Sequence, residues 1–436
     1  MQKYSKYKDS GVKWLGEIPS HWEVKRWRFL LEENCKKNSD CLVRKQLQFR
    51  YGDIVQKSNQ ETDADVLETI SKYTVVRPND IMINGLNLNY DFISQRVAQV
   101  REEGAITSAY ICLRPTDIAN SRYYTYFLKS MDSKKMFHGM GTGIRLTLSY
   151  NELKNQFIPK PSYEEQTAIA DYLDSATSKI DNAIAQQQKM IDLLNERKQI
   201  IINDAVTKGL DPKAKMKDSG IDWIGQIPEH WEISVFKHLF NTRTGITFTK
   251  EQLSESGAPV ISYGQIHSKD NWGASINPIL IRHIPQSLTK GKDSAIAAKG
   301  DFLFADTSED FEGCGNNVYV DTEEPVYAGY HTILAKCNNK EYGQYLAYLF
   351  ASSKWRGQVR SMVNGVKVYS VTQTILNNAL VILPPISEQK EIANYVTKKV
   401  VVINEAIDRC KKRIKLLQER KQIIINDVVT GKVKVV

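Results

Sequence analysis

Apolar residues recur in threes and fours along two long stretches of this chain. In the first, Ile169, Leu173, Ala176, Ile180, Ala183, Met190, Leu194 and Ile201 fall on one helical stripe; in the second, Ile392, Val396, Ile403, Ala406, Leu417 and Ile424 do so. That spacing is the seam of a helix that pairs with another helix. Gln187 and Cys410 soften matching seam positions, and Arg197 and Arg420 interrupt them. Each run of about 45 residues predicts a rod on the order of 65 Å at about 1.5 Å per residue, far beyond the usual three or four turns. A helix of that length is a spacer or an arm.

Both runs end on nearly the same words, LLNERKQIIIND at 193–204 and LLQERKQIIIND at 416–427, which differ only at Asn195 and Gln418. Packing would require only the apolar letters to recur. Here Glu196, Arg197, Lys198, Gln199, Asn203 and Asp204 also return, as Glu419, Arg420, Lys421, Gln422, Asn426 and Asp427. The sequences between the copies differ almost throughout, so the repeated polar groups point to two equal docking faces for two copies of one partner. Glu196, Arg197, Gln199, Glu419, Arg420 and Gln422 are the candidates for that contact.

A second repeat, YKDSGVKWLGEIPSHWEV at 7–24 and MKDSGIDWIGQIPEHWEI at 216–233, has the turn glycines, proline and tryptophans of a compact non-helical elbow. Tyr7 to Met216 is an offset of 209 and Glu165 to Glu388 one of 223, a difference of 14, so the second intervening region is longer by that amount. The order is elbow, variable region, helix, twice over. Region one predicts strands at Tyr73–Arg77, Ile81–Ile83 and Ala109–Leu113 and a helix at Tyr123–Met136. Region two predicts strands at Val260–Tyr263, Asp301–Phe304, Asn317–Val320 and Thr332–Ala335 and a helix at Glu341–Val359. RPNDIMI, SAYICL and GTGIRLTLSYNELKN of region one answer to AKGDFLF, GYHTILA and VNGVKVYSVTQTILNN of region two, so the two share one mixed α/β fold with different surfaces. Domains are expected at 1–160 and 210–383, each opening on its elbow, with helices at 161–209 and 384–436. Ser162 with Glu165 suits a capping box for the first helix and Ser387 a cap for the second; Gly209 and Gly431 suit the helix ends.

A length of 436 residues with 42% hydrophobic content supports two or three cores. The net charge of +9 suits a nucleic-acid partner, because a basic face attracts phosphate and releases counterions. The chain has no run of apolar residues long enough for a membrane span and no secretion signal at its start, and is read as cytoplasmic. Six scattered cysteines without a C-x-x-C pair read as buried free thiols, and His21 and His230 as parts of a packed turn. Phosphate loops, G-x-G-x-x-G, H-E-x-x-H and zinc sets are all missing. Leu383-Pro384-Pro385-Ile386 lacks the polar and aromatic flanks of an amino-methyltransferase motif. Any catalysis is therefore expected from a partner, and no metal or cofactor of the chain's own.

Loops rich in amide, basic and aromatic groups remain as surfaces that could read DNA. Region one offers Asn87, Asn89, Tyr90 and Arg96, and region two Tyr263, Gln265, His267, Lys269, Thr307 and Tyr369, groups able to pair with or pack on base edges. Arg145 and Lys367, each after a Gly turn, are matched candidates for phosphate.

WLGEIPSHWE at 14–23, WIGQIPEHWE at 223–232, EEQTAIADYL at 164–173, SEQKEIANYV at 387–396 and both ERKQIIIND copies, in that order, closely resemble the specificity subunit of type I restriction-modification systems over nearly the whole chain. The resemblance implies two target-recognition domains, each reading half of a bipartite site in double-stranded DNA, spaced by an antiparallel pair of helices. It implies as partners two modification subunits that bring S-adenosylmethionine and methylate adenine, and motor-nuclease subunits that bring ATP and Mg2+. The rival classes are a coiled-coil DNA-binding scaffold without sequence preference and a stand-alone methyltransferase or nuclease.

Overall fold

The computed structural model describes residues 2–50, 52–57, 64–92, 95–144, 146–365 and 367–435. The chain divides into two compact units, residues 1–188 with 411–436, and residues 189–410. Each unit holds one mixed α/β domain, the beginning of one long helix and the end of the other. The helices run Tyr163–Lys208 and Ile386–Val429.

In the first unit a four-stranded antiparallel sheet has the spatial order Leu31–Glu33, Ile111–Pro115, Ile81–Ile83, Val97–Gln99. In the second the order is Phe240–Thr244, Thr332–Cys337, Phe302–Ala305, Asn317–Tyr319. The same chain order and pairing recur, as the matched landmarks required. In both, the strand after the elbow pairs with the strand that leads into the long helix: Glu23–Arg26 with Phe157–Lys160, and Glu232–Val235 with Leu380–Leu383. The second unit adds another four-stranded sheet with one parallel pair.

Each elbow is a small hairpin, Tyr7–Asp9 on Glu17–Pro19 and Met216–Asp218 on Gln226–Pro228. Trp22 and Trp231 from these elbows are buried in their respective cores. Next to them the E-Q pairs open the helices. Gln166 and Gln389 are buried and turn their amides back onto the carbonyls of Pro161 (3.0 Å) and Pro384 (2.7 Å), satisfying groups that a proline-led start leaves exposed. Glu165 accepts from Tyr4 Oη at 2.7 Å and meets His21 Nε2 at 3.0 Å; Glu388 meets His230 Nε2 at 2.8 Å and accepts from Trp231 Nε1 at 3.0 Å.

The helix ends complete the cores. Ile424, Ile425, Val428 and Val429 join Trp22, Tyr123 and Leu173 in the first unit; Ile202, Ala205 and Val206 join Trp231, Tyr345 and Val396 in the second. Full burial of each large aliphatic side chain contributes about 1.5–3 kcal/mol. Tyr123 Oη donates to Val429 O at 3.0 Å, and its counterpart Tyr345 Oη to Val206 O at 3.2 Å. Within each unit the two helix segments run antiparallel. Lys421 pairs with Asp181 at 2.7 Å, and at the matching position Lys198 donates to Asn404 at 3.2 Å.

Several local expectations need correction. The helix expected over Glu341–Val359 is two helices, Gly343–Ala351 and Ser353–Ser361, because Ser352 turns extended and its Oγ caps the second through Trp355 N. Ser162 accepts from Glu165 N, but the Glu165 carboxylate serves the elbow, so the capping box is half made. Ser387 lies inside its helix, which starts at Ile386. Met190 is exposed and Ile191 takes the inward position. Cys112, Cys314 and Cys337 are buried, whereas Cys35 is exposed and Cys41 and Cys410 are half-buried; all six are free thiols. Gly209 and Gly431 both hold φ of 75° just past the helices.

Candidate nucleic-acid interface

In each domain the third and fourth strands of the sheet are joined by a loop, 84–96 in the first and 306–316 in the second. A later segment is fastened across each loop. In the first domain Leu148 N donates to Gly85 O at 2.9 Å and Leu88 N to Leu146 O at 3.1 Å. Gly85 is needed there, since a Cβ would fall 2.4 Å from the Leu148 carbonyl oxygen. In the second, Thr307–Ser308 pairs as a short antiparallel strand with Tyr369–Ser370, and Val371 N donates to Asp306 O at 2.8 Å. Both domains therefore build one kind of apex from equivalent parts.

Arginines pin the loops by their carbonyls. Arg96, expected at the surface as a base reader, is 1% exposed. Its Nη1 donates to Asn84 O (3.0 Å) and Leu86 O (2.8 Å), and its Nη2 to Asp91 O (2.8 Å). A guanidinium whose Nη groups serve carbonyls under the loop is a positioning group, so this expectation is corrected. In the second domain Arg356 and Arg360, one turn apart on a helix, both donate to Glu312 O, and Arg360 pairs with the Glu312 carboxylate at 2.8 Å. Burial, and then the neighbouring Arg360, push the Arg356 guanidinium down to about 10. Sequence reasoning missed both. Their signal was an i, i+4 arginine pair on a helix that otherwise buries Trp355 and Val359.

The other first-domain candidates gather on the apex. Asn87 is exposed with φ of 51°, Tyr90 is 76% exposed, and Asn89 Nδ2 donates to Ile144 O at 3.3 Å. Arg145 lies outside the described residues.

In the second domain Thr307, His267 and Tyr369 come together. His267 Nε2 lies 2.8 Å from Thr307 O and its Nδ1 3.0 Å from Asn316 Nδ2. Both ring nitrogens thus serve the loop. Tyr263 packs edge-on against Tyr330 and His331. Gln265 is turned inward, accepting from Ser262 N at 3.1 Å in a capping box. Lys269 and Lys367 are exposed.

On the helices Glu196, Arg197, Glu419, Arg420 and Gln422 are exposed, and Gln199 is half-buried. Glu196 and Arg197 lie with exposed Leu193 and Ile200 at i, i+3, i+4 and i+7, a single stripe; Leu416, Glu419, Arg420 and Ile423 repeat it. Asn203 and Asn426 instead face the domains, bonding Ser353 Oγ (2.9 Å) and Ser130 Oγ (3.0 Å). In the first unit a cleft of about 900 Å³ is lined by Lys129, Asp132, Asp181, Glu419 and Lys421, among others. Burial lowers the Lys129 ammonium and raises the Asp132 carboxyl from their ordinary values. No helix among the described residues is long and apolar enough to cross a membrane.

Comparison with known proteins agrees with this doubled plan. The chain is 25% identical over 439 residues to the type I restriction enzyme MjaVIII specificity subunit of Methanocaldococcus jannaschii, spanning 98% of this chain and 97% of that protein. It is 26% identical over 453 residues to the putative MjaX specificity subunit of the same organism, spanning 97% and 96%. A chain solved in a study of complex assembly and conformational transition of the type I R-M system shares the fold, with a TM-score of 0.67 at 13% identity over 95% of this chain and 99% of that one. The family model of the type I restriction modification DNA specificity domain matches residues 100–191 and 228–415, more than half of the sequence, and the chain belongs to that family.

Proposed function

We propose that this chain is the DNA-recognition subunit of a type I restriction-modification complex, that each apex reads one half of a bipartite site in double-stranded DNA, and that the chain does no chemistry itself. The observation that carries this reading is the doubled apex: one scaffold, built twice with matched strands and arginine-pinned loops, presents different side chains each time. A scaffold repeated while its tip diverges suits two different half-sites. Asn87 and Tyr90 on one side and Thr307, Lys367 and Tyr369 on the other are the groups we assign to bases and phosphates; Asn89, with its amide nitrogen on Ile144 O and its amide oxygen buried, positions the turn instead.

The exposed helix stripes supply the second part of the proposal. Leu193, Glu196, Arg197 and Ile200, and their repeats in the second helix, dock two modification subunits in equivalent ways, and the helix length sets the spacing of the half-sites. The modification subunits bring S-adenosylmethionine and flip adenine from the stack; motor-nuclease subunits bring ATP and Mg2+. Exchange of residues 25–160 for those of a relative tests the reading. The methylated motif of the host should change in one half and keep the other. An unchanged motif, with the exchanged chain assembled, overturns it.

A further inference from the structure

Each apex exposes apolar side chains on backbone that is tied down. In the first domain Ile144 is 97% exposed, its carbonyl held by Asn89, and Tyr90 and Phe92 are exposed on the loop that Asn89 belongs to; in the second Val368 is 55% exposed and precedes the half-buried Tyr369, whose ring centroid lies 5.5 Å from that of the exposed Phe311. Val368 stands two repeat positions beyond the counterpart of Ile144, so the feature recurs without the residue being copied. Single exposed apolar residues need no explanation. A strongly exposed aliphatic residue on tied-down backbone, with exposed aromatic residues elsewhere on the same apex, recurring in both domains, does.

The backbone holds Ile144 outward. Thr142 and Thr147 exchange backbone bonds of 3.0 and 2.9 Å on either side of it, Leu146 N donates to Gly143 O at 3.1 Å, and Asn89 holds its carbonyl. Phe92 is stacked on His138 at 4.7 Å. In the second domain the strand pair Thr307–Ser308 with Tyr369–Ser370 anchors the residue that follows Val368. Three side chains are too few for a protein partner, since a stable interface buries about 800 Å² on each side. They match the gap between two base pairs, which takes one aliphatic wedge and flat rings against opened faces. The neighbouring groups suit nucleic acid: the exposed Asn87 on the first apex and the exposed Lys367 on the second.

We propose that Ile144 and Val368 are wedges that enter the base stack, one in each half of the DNA site. This rests on the reading of the chain as a DNA-recognition subunit and adds to it a mechanism of specificity. Each half-site is then chosen partly by how easily one base step opens, which favours flexible pyrimidine–purine steps. Base-edge hydrogen bonds do the rest.

The test uses the full chain assembled with its modification subunits on the duplex that the methylation map defines, with 2-aminopurine moved singly through both half-sites. Fluorescence should rise several-fold at the flipped adenines and at one further step in each half. Ile144→Ala should remove the further signal from the first half only and Val368→Ala from the second only, while Ile144→Val retains it. The flip signals serve as the internal standard. Flip signals without any further step in the wild type, or further signals that survive both alanine variants, overturn the wedge and leave the recognition role standing. An assembled complex with neither signal and no preference for the mapped duplex overturns the recognition role, and the wedge with it.

Discussion

Replacement of Arg96 by methionine tests how the first apex is held. Methionine follows much the same path through the core, so little cavity forms, but it donates nothing. Three bonds at 2.8–3.0 Å, to the carbonyls of Asn84, Leu86 and Asp91, are lost. Hydrogen bonds from a charged donor contribute about 1.5–3 kcal/mol each, and groups left buried and unpaired cost more. The loop is at the surface, however, and freed carbonyls can turn to water, so we take somewhat less than the low end of about 4.5 kcal/mol for three such bonds: about 3–4 kcal/mol against closure of residues 84–91. The sheet beneath should survive, because Ile81–Ile83 and Val97–Gln99 remain paired to each other. The expected result is local opening. At about 1.4 kcal/mol per factor of ten, hydrogen-exchange protection of the Leu88 amide, which donates to Leu146 O, should fall by roughly 10²–10³-fold. Amides of Phe302–Ala305 in the second unit are the control. Arg96→Lys keeps the charge without the planar fork and should fall between. Wild-type protection at Leu88 in Arg96→Met, with the first half-site still discriminated, would refute the positioning role.

Three further outcomes follow from the same geometry. Asp132 is buried with Oδ1 unpartnered, and burial raises its carboxyl above the ordinary value of 3.8. The folded state thus holds the proton more tightly than the unfolded state, and stability falls as pH rises from 3.8 through the raised value, the cost persisting at neutral pH. Asp132→Asn, which keeps an acceptor for Arg96 N, should stabilise the first unit by about 1 kcal/mol at neutral pH and flatten that slope in melts from about pH 4 to 7; a lower melting temperature at neutral pH would count against it. Asn203→Ala and Asn426→Ala should each cost about 1 kcal/mol in thermal melts through the lost Ser353 and Ser130 bonds, whereas Glu196→Ala with Arg197→Ala should leave melts within about 0.5 kcal/mol and weaken co-purification of the modification subunit; the reverse pattern would exchange their assigned roles. Gly431→Ala should cost about 1–2 kcal/mol for left-handed backbone and more for a Cβ 2.4 Å from Pro19 Cδ, whereas Gly209→Ala meets its nearest atoms at 3.0–3.1 Å, so calorimetry should rank Gly431→Ala as the costlier change.

Much of the scaffold was legible because it is written twice. Chain order, paired landmarks, elbows and helix ends could be checked against each other, and the matched strands follow from that. The residues that build the site were less legible. Arg96 sits among polar loop residues and looks like a surface reader, but its burial depends on how 84–91 curls over it, which no local pattern records. Ser352 breaks a helix that periodicity extends through, because a serine that caps one helix while ending another leaves no hydrophobic trace. Ile144 carries no signal at all: an aliphatic residue in a Gly turn is read as core until the turn is seen to point away from it.

The helix ends show why polar letters were repeated with the apolar ones. Two duties lie on one helix. Asn203 and Asn426 face inward and bond to Ser353 and Ser130, and Lys198 and Lys421 reach the other helix segment of their own units. That half of the repeat is accounted for by folding. The outward stripe of Leu193, Glu196, Arg197 and Ile200 is not, since Leu193, Ile200 and their counterparts Leu416 and Ile423 remain exposed. Just before the identity begins, exposed Met190 stands against Arg413 and exposed Asp192 against Lys415, while inward Ile191 matches Ile414. Exposed positions just before the identity have therefore diverged at 190 and 192, although the exposed Lys189 returns as Lys412, whereas all four positions of the stripe that follows are kept. Leucine and isoleucine left in water on both helices, flanking the same glutamate and arginine, are what two identical partner surfaces would keep in place.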